Sequence, residues 1–178
     1  MNEIGGLARL GPVMQLAWLP EDFDAAIRHW TETMGVGPFF LMENIELANM
    51  RYRGAPTKAK FTLALAYWGD VQIELIRPEN DEPSIYNGDY AVKDRLHHVC
   101  LLIDDIAEAY AACAKYGAEI IVEGDVGEAG KVIYADPGTG PGGLVEILQS
   151  QPGTKELFGM IRQASIDWDG TEPVRKLG

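Results

Sequence analysis

Two stretches of this chain alternate apolar and polar positions in the same order. In the first, residues 11–19 form an apolar, strand-like run that carries polar Gln15, and the acidic turn Pro20-Glu21-Asp22 follows. Ala25, Ala26, Ile27 and Trp30 then recur at helical spacing, with Asp22 placed to cap the helix and Gly35 to stop it. Residues 37–54 have the aromatic and β-branched content of a strand, and KFTLALAYWGDVQIELIRP reads as two strands joined at Gly69-Asp70. The second stretch repeats the order: a strand over 95–103 carrying His98, a helix over 105–116 ended by Gly117, then strands over 118–123, 130–135 and 142–149. Asp22 and Asp105 stand seven residues beyond Gln15 and His98 respectively, so the echo extends to the caps.

Each half therefore reads strand, helix, three strands. The expected fold is α+β: two tandem βαβββ modules forming a cupped, mostly antiparallel sheet, with a C-terminal helix added. One helix per half cannot cover both faces of a sheet, so the two sheets are expected to close around a shared interior. The chain is expected to be a single domain over 1–178, with module one at 11–78, a linker at 79–94, module two at 95–149, and a helix and tail at 150–178. The linker is rich in Pro, Asn, Asp and Gly; PSIYNGDY within it reads as a simple connector, with a lid over the site as the second reading. DPGTGPGG at 136–143 feeds a strand and not a helix, so it matches no phosphate-binding fingerprint. Leu157, Ile161 and Ala164 give the last helix an apolar stripe for the body or a dimer partner.

Composition narrows the function classes. With 178 residues, 47% hydrophobic and 24% charged, the chain can bury a core and is not a disordered segment. A formal net charge of −12 argues against nucleic acid or an anionic membrane as partner, because both would be repelled. Cys100 and Cys113 lack CxxC spacing and read as small buried apolar residues. The opening MNEIGGLARLG has no apolar core of signal-peptide length, and no long apolar run occurs, so a soluble, reducing, cytoplasmic setting is expected.

Candidate chemistry sits at matched positions of the two halves. Gln15, Glu74, His98 and Glu146 are each embedded in a strand between aliphatic neighbours, where a carboxylate is costly unless it is paired, hydrogen-bonded or bound to metal. Singly, each would fit a half-exposed strand. Together they fall at the equivalent start and end of each repeat, and one imidazole, two carboxylates and one amide suit one divalent ion such as zinc, nickel, cobalt or manganese. By strand alternation His97 should point to the opposite face from His98, in a packing or supporting role. His29 reads as a surface or rim residue, and Gln72, sharing a face with Glu74, as the fallback ligand.

The opening from Gln15 to Ala26, the segment LHHVCLLIDDI and the ending GGLVEIL resemble the vicinal oxygen chelate superfamily, which includes glyoxalase I, methylmalonyl-CoA epimerase, extradiol dioxygenases and bleomycin-resistance proteins. The resemblance spans residues 11–149. It implies a cupped sheet around the metal and a homodimer or paired modules. LHHVCLLIDDI is most similar to methylmalonyl-CoA epimerase, yet such epimerases carry His where this chain has Gln15, and a Gln, Glu, His, Glu set is similar to eukaryotic glyoxalase I. The epimerases also take a second carboxylate from the middle strands, the region that holds Glu43 and Glu46 here.

The leading expectation is a metal-dependent isomerase, epimerase or lyase that removes a proton alpha to a carbonyl, with the enolate chelated by the metal and Glu146, or less favourably Glu74, as general base. An apolar cup would raise the pKa of the carboxylate toward working pH. Its small-molecule substrate would be a 2-oxo hemithioacetal or an acyl-CoA ester, for which Arg51, Arg53 and Lys58, with Lys60, offer a basic cluster; a strand edge guarded by Lys is the plain alternative. Ferrous extradiol cleavage would need a second histidine, His97 or His29, at the metal. A metal-free binding protein would need an aromatic groove, for which Trp18, Trp68, Phe39, Phe40 and Tyr67 are candidates.

Overall fold

The Asp22 carboxylate accepts Ala25 N–H at 2.8 Å and Asp105 accepts Ala107 N–H at 2.9 Å. Each satisfies a donor that a helix N-terminus otherwise leaves orphaned. They open α1 (Phe23–Arg28) and α2 (Ile106–Tyr116). α1 runs on into one wider turn over His29–Thr33, and Gly117, at φ 73°, ends α2 in the left-handed conformation that glycine adopts without strain. The structure is a computed structural model that describes residues 5–177; the first four residues of the MNEIGGLARLG opening, and Gly178, lie outside the described residues.

Eleven strands form one curled, mixed sheet: β1 (Val13–Trp18), β2 (Phe39–Glu46), β3 (Ala48–Tyr52), β4 (Ala55–Pro56), β5 (Lys60–Trp68), β6 (Val71–Pro78), β7 (Leu96–Ile103), β8 (Glu119–Val126), β9 (Gly130–Asp136), β10 (Leu144–Gln149) and β11 (Val174–Lys176). Their order is β11-β2-β5-β6-β1-β7-β10-β9-β8-β3-β4. The α+β class and the added C-terminal helix, α3 (Pro152–Ser165), match the sequence expectation. The halves meet at the antiparallel β1–β7 seam, and the register there is symmetric. Gln15 lies between Gln72 and Cys100, while His98, its counterpart, lies between Leu144 and Ala17. Ala17 pairs with Glu74 just as Cys100 pairs with Glu146.

The symmetry extends to a defect. Pairing steps from Val13↔Leu101 to Gln15↔Cys100 and from Ala17↔His98 to Trp18↔Leu96, so one extra residue sits in each strand, Met14 in β1 and His97 in β7. These are β-bulges, and each immediately precedes the polar residue that opens its half.

Side-chain size decides which face each strand buries where. On β5, Ala64 and Ala66 make room for Phe23 and Ile27 of α1, while Phe61, Leu63 and Leu65 turn to the inner face. α2 covers Leu101, Ile103, Ile133 and Ile147 of the second half. α3 lies on the inner side, where Leu157, Ile161 and Ala164 pack on Phe40, Leu65 and Tyr67. Ile161 is fully buried, which is worth about 1.5–3 kcal/mol. Arg162 of α3 also pairs with Asp70 in the β5–β6 turn.

Three segments depart from the sequence expectation. The single strand expected over 37–54 breaks at Leu47, with Asn44 and Asn49 at φ 55° and 52°, backbone that Asn tolerates better than most residues. β3 then leaves its own half and pairs with β8 through Arg51↔Glu123 and Tyr52↔Val122, strapping the first half to the far edge of the second. The polar tail adds β11, parallel to β2, which no periodicity signals.

The segment 79–94 is not a plain connector, because Ile85, Tyr86 and Tyr90 are buried in the core. Tyr86 packs on Phe61 at 5.1 Å, and Tyr90 donates to Asp136 at 2.9 Å. Asp136 also gathers the N–H groups of Gly138, Thr139 and Gly140 at 2.8, 2.9 and 3.1 Å, which organises the DPGTGPGG turn. Burial pushes the Asp136 carboxyl up, but these hydrogen bonds outweigh it and hold the pKa below the usual 3.8. A pKa depressed by folding gives stability that is present above 3.8 and lost as pH falls through the folded value. Asp136→Ala is therefore expected to cost about 1–3 kcal/mol near neutral pH. In urea melts the gap to the parent should narrow in acid; a gap independent of pH would refute the charge argument.

Candidate metal centre

β1, β6, β7 and β10 are neighbours at the middle of the sheet, and they carry Gln15, Glu74, His98 and Glu146 onto its inner face. All four are buried, at 4%, 4%, 1% and 7% exposure, so none is the solvent-facing polar residue of a half-exposed strand. His98 Nε2 lies 3.1 Å from Glu146 Oε2 and 3.2 Å from Glu74 Oε2. Ligand atoms of Glu74, His98 and Glu146 all fall within 4.8 Å of one another. The imidazole hydrogen-bonds Glu146, and Glu74 Oε2 is left buried with no hydrogen-bond partner. A buried carboxylate oxygen with an ion-pair contact to one imidazole and no hydrogen bond of its own is costly, and a cation held by the same groups would relieve it.

Gln15 lines the same inner face through different contacts. Its Nε2 donates to Gln72 Oε1 at 2.7 Å, which leaves Gln15 Oε1 as the side-chain atom suited to a metal. Gln72 thus orients Gln15, while its own Nε2 is buried without a partner.

His97 does not point away from His98. The bulge at His97 breaks the two-residue alternation, so the ring turns toward its neighbour: His97 Nδ1 is 2.9 Å from His98 Nδ1, and His97 Nε2 is 3.0 Å from the Ile85 carbonyl. Burial, reinforced by His98, lowers the His97 pKa to about 3, so this ring is neutral. A carbonyl only accepts, so His97 Nε2 carries the proton, His97 Nδ1 accepts, and His98 Nδ1 donates to it. The remaining nitrogen, His98 Nε2, is aimed at the two carboxylates. Burial works against charge on His98, but the hydrogen bond with Glu146 and the attraction of both Glu146 and Glu74 outweigh it and raise its pKa to about 9. The site thus sets a protonated imidazole between two carboxylates, a position of concentrated negative charge that a divalent cation would also suit. Glu74 is shifted upward by burial, with Glu146 adding to the effect.

These groups open onto a cavity of about 580 Å³, within the range of small-molecule sites. Gln15, Glu74 and Glu146 line one part of it; Phe61, Leu63, Tyr134 and Phe158 are among its apolar walls. Tyr134 stands edge-on to His98 at 5.2 Å. Phe61 and Leu63 were legible as strand residues, but only the curl of the sheet and the position of α3 bring them together with Phe158.

Other candidates lie elsewhere. Arg51, Arg53 and Lys58 are exposed and do not line the cavity: Arg51 donates to the Gly54 carbonyl at 2.8 Å, Arg53 lies over the rings of Tyr52 and Tyr90, and Lys60 pairs with Glu46 at 3.6 Å. Arg51 and Arg53 lie on β3 and its turn into β4, the edge strand of the sheet. Glu43 is also outside the cavity, bound to Lys176 of β11 at 2.7 Å. Trp18 and Trp68 flank Trp30 on the outer face beside α1, Phe39 joins the same outer cluster, and Phe40 and Tyr67 pack under α3, so these five form no aromatic groove at the cavity. His29 is exposed beside Trp30. Cys100 and Cys113 are free and buried, as read from the sequence. No helix among the described residues is long and apolar enough to cross a membrane.

Solved structures with this fold include a variant of Streptomyces coelicolor methylmalonyl-CoA epimerase in complex with 2-nitronate-propionyl-CoA, at 18% identity and a TM-score of 0.59 over 80% of this chain and 96% of that one. A methylmalonyl-CoA epimerase in complex with methylmalonyl-CoA and NH4+ aligns at 16% identity and a TM-score of 0.57, over 80% and 96% of the two chains. A hypothetical protein from Bacillus halodurans aligns at 14% identity and 0.56, over 79% and 94%. No curated protein matches the sequence. The sequence model of the Glyoxalase/Bleomycin resistance protein/Dioxygenase superfamily matches residues 14–135, a span that holds three of the four centre residues and stops short of Glu146 and α3. The chain belongs to that superfamily, the vicinal oxygen chelate fold.

Proposed function

We propose that this protein is a metal-dependent isomerase, epimerase or lyase that moves a proton on the carbon next to a carbonyl. The observation that carries the reading is the buried convergence of Glu74, His98 and Glu146, whose ligand atoms lie within 4.8 Å of one another at the base of a cavity. Gln15, Glu74, His98 and Glu146 would hold one divalent ion, and their mixed nitrogen and oxygen donors suit zinc, nickel, cobalt or manganese. When bound, the ion supplies Lewis-acid stabilisation of negative charge developing on substrate oxygen.

The protein side chains do the rest. Glu146 is our choice of general base, because its side chain keeps 9% exposure to the cavity against 5% for Glu74. Apolar walls exclude water and strengthen the electrostatic contacts within. Glu43 and Glu46, both engaged by lysines, lie outside the cavity and are not placed to act as a second base. Ferrous ring cleavage is disfavoured, because His97 is held by His98 and Ile85 and the cluster contains a single histidine among the described residues.

The test joins metal content to proton exchange at the α-carbon of 2-oxo hemithioacetals and acyl-CoA esters. Stoichiometric metal and metal-dependent exchange are expected, with Glu43→Gln and Glu46→Gln unchanged. A protein that takes up no zinc, nickel, cobalt or manganese and gains no thermal stability from them would sink the proposal.

A further inference from the structure

We infer that the substrate carries its two adjacent oxygens on an uncharged hydrocarbon or aromatic body, and that α3 closes the cavity that receives this body. The inference rests on the proposed metal site for the oxygens, but the receiving wall is argued independently. Among the described residues, none that lines the cavity is Lys, Arg or His, so a phosphate or a second carboxylate inside it would meet no cation from the lining. Glu128, also in the lining, would repel one. Within the centre a divalent ion balances the two carboxylates of Glu74 and Glu146, leaving no positive charge over for a distant anionic group.

The walls point the same way. Met42, Ile45 and Leu63 of the first half face Val132 and Leu148 of the second across the cavity, and α3 supplies Phe158. Met42, Ile45, Leu63 and Phe158 are half-buried, so apolar surface is left facing the cavity. Such surface is costly in water and is recovered when an apolar body covers it. α3, which supplies Phe158, lies beyond the span that matches the family model.

Alkyl hydroxamates, which present two adjacent oxygens on a chain of chosen length, probe both parts by calorimetric titration of the metal-loaded protein. From acetohydroxamate to decanohydroxamate, affinity should rise about threefold to fourfold per methylene until the cavity is filled. Phe158→Trp from α3, and Leu63→Trp from the opposite wall, should each bring the plateau to a shorter chain. A hydroxamate ending in a carboxylate should bind at least tenfold more weakly than its alkyl counterpart. Affinity independent of chain length, or no penalty for the terminal carboxylate, overturns the inference while leaving the metal site intact. Octanol titrated into metal-free protein separates the two readings further. Binding weakened by Phe158→Trp supports the apolar wall even if no metal is taken up, and absence of octanol binding overturns it.

Discussion

Glu146→Gln is expected to lower α-proton exchange by about a hundredfold to ten-thousandfold, the range for loss of a positioned general base. The substitution keeps size and an acceptor oxygen for the His98 hydrogen bond of 3.1 Å, so the cluster remains assembled. It removes the basicity that takes the proton. Melting temperature should stay near that of the parent, since one of two mutually repelling buried carboxylates is neutralised. Glu74→Gln separates the roles. Glu74 is the more enclosed carboxylate and has no hydrogen bond at Oε2, so its change should appear first as weaker metal binding, with exchange recovering as metal is added in excess. Single-turnover exchange across metal concentrations reads both effects. Recovery in Glu146→Gln and persistent loss in Glu74→Gln would reverse the assignment, and normal exchange in both would remove the carboxylates from the chemistry.

The chain shows its duplication because duplication is a local property. Caps at Asp22 and Asp105, the stop at Gly117 and the strand pairs around Gly69-Asp70 are written in short-range signals, and they place Gln15, Glu74, His98 and Glu146 at equivalent points. What alternation could not supply was any departure from alternation. The bulge at His97 reverses the expected direction of one ring, and no local signal marks it beyond the paired histidines. Partner choice was equally hidden. β3 reads as part of one long strand, yet it pairs across the molecule with β8 and takes Arg51, Arg53 and Lys58 to the sheet edge. The 79–94 segment has loop composition, yet three of its apolar residues, Ile85, Tyr86 and Tyr90, enter the core. The cavity depends on all of these long-range choices together, which is why its apolar walls were not legible even though the convergence of Glu74, His98 and Glu146 was.

His97→Phe is expected to weaken metal binding by about tenfold to a hundredfold, the usual effect of losing a partner that orients a ligating histidine. The chain from the Ile85 carbonyl through His97 to His98 leaves His98 Nδ1 protonated and His98 Nε2 free for the metal. Phe fills the same space against Tyr86, whose ring lies 5.6 Å from that of His97, but it offers His98 no acceptor. His98 is then free to rotate or to adopt the other tautomer, with its lone pair directed away from Glu74 and Glu146. His97→Asn tests this against simple packing. Its carbonyl oxygen can stand near the position of Nδ1 and accept from His98, while its smaller side chain leaves a void that Phe would fill; the Ile85 carbonyl loses its donor in both variants. Stability should therefore fall further in His97→Asn than in His97→Phe, by about 1–3 kcal/mol, yet metal affinity should fall less. Opposite rankings of the two variants in melting and in metal titration would identify His97 as the residue that sets the His98 tautomer. If affinity instead follows stability, with His97→Asn the weaker binder, His97 is a packing residue and the relay through Ile85 has no part in holding the ion.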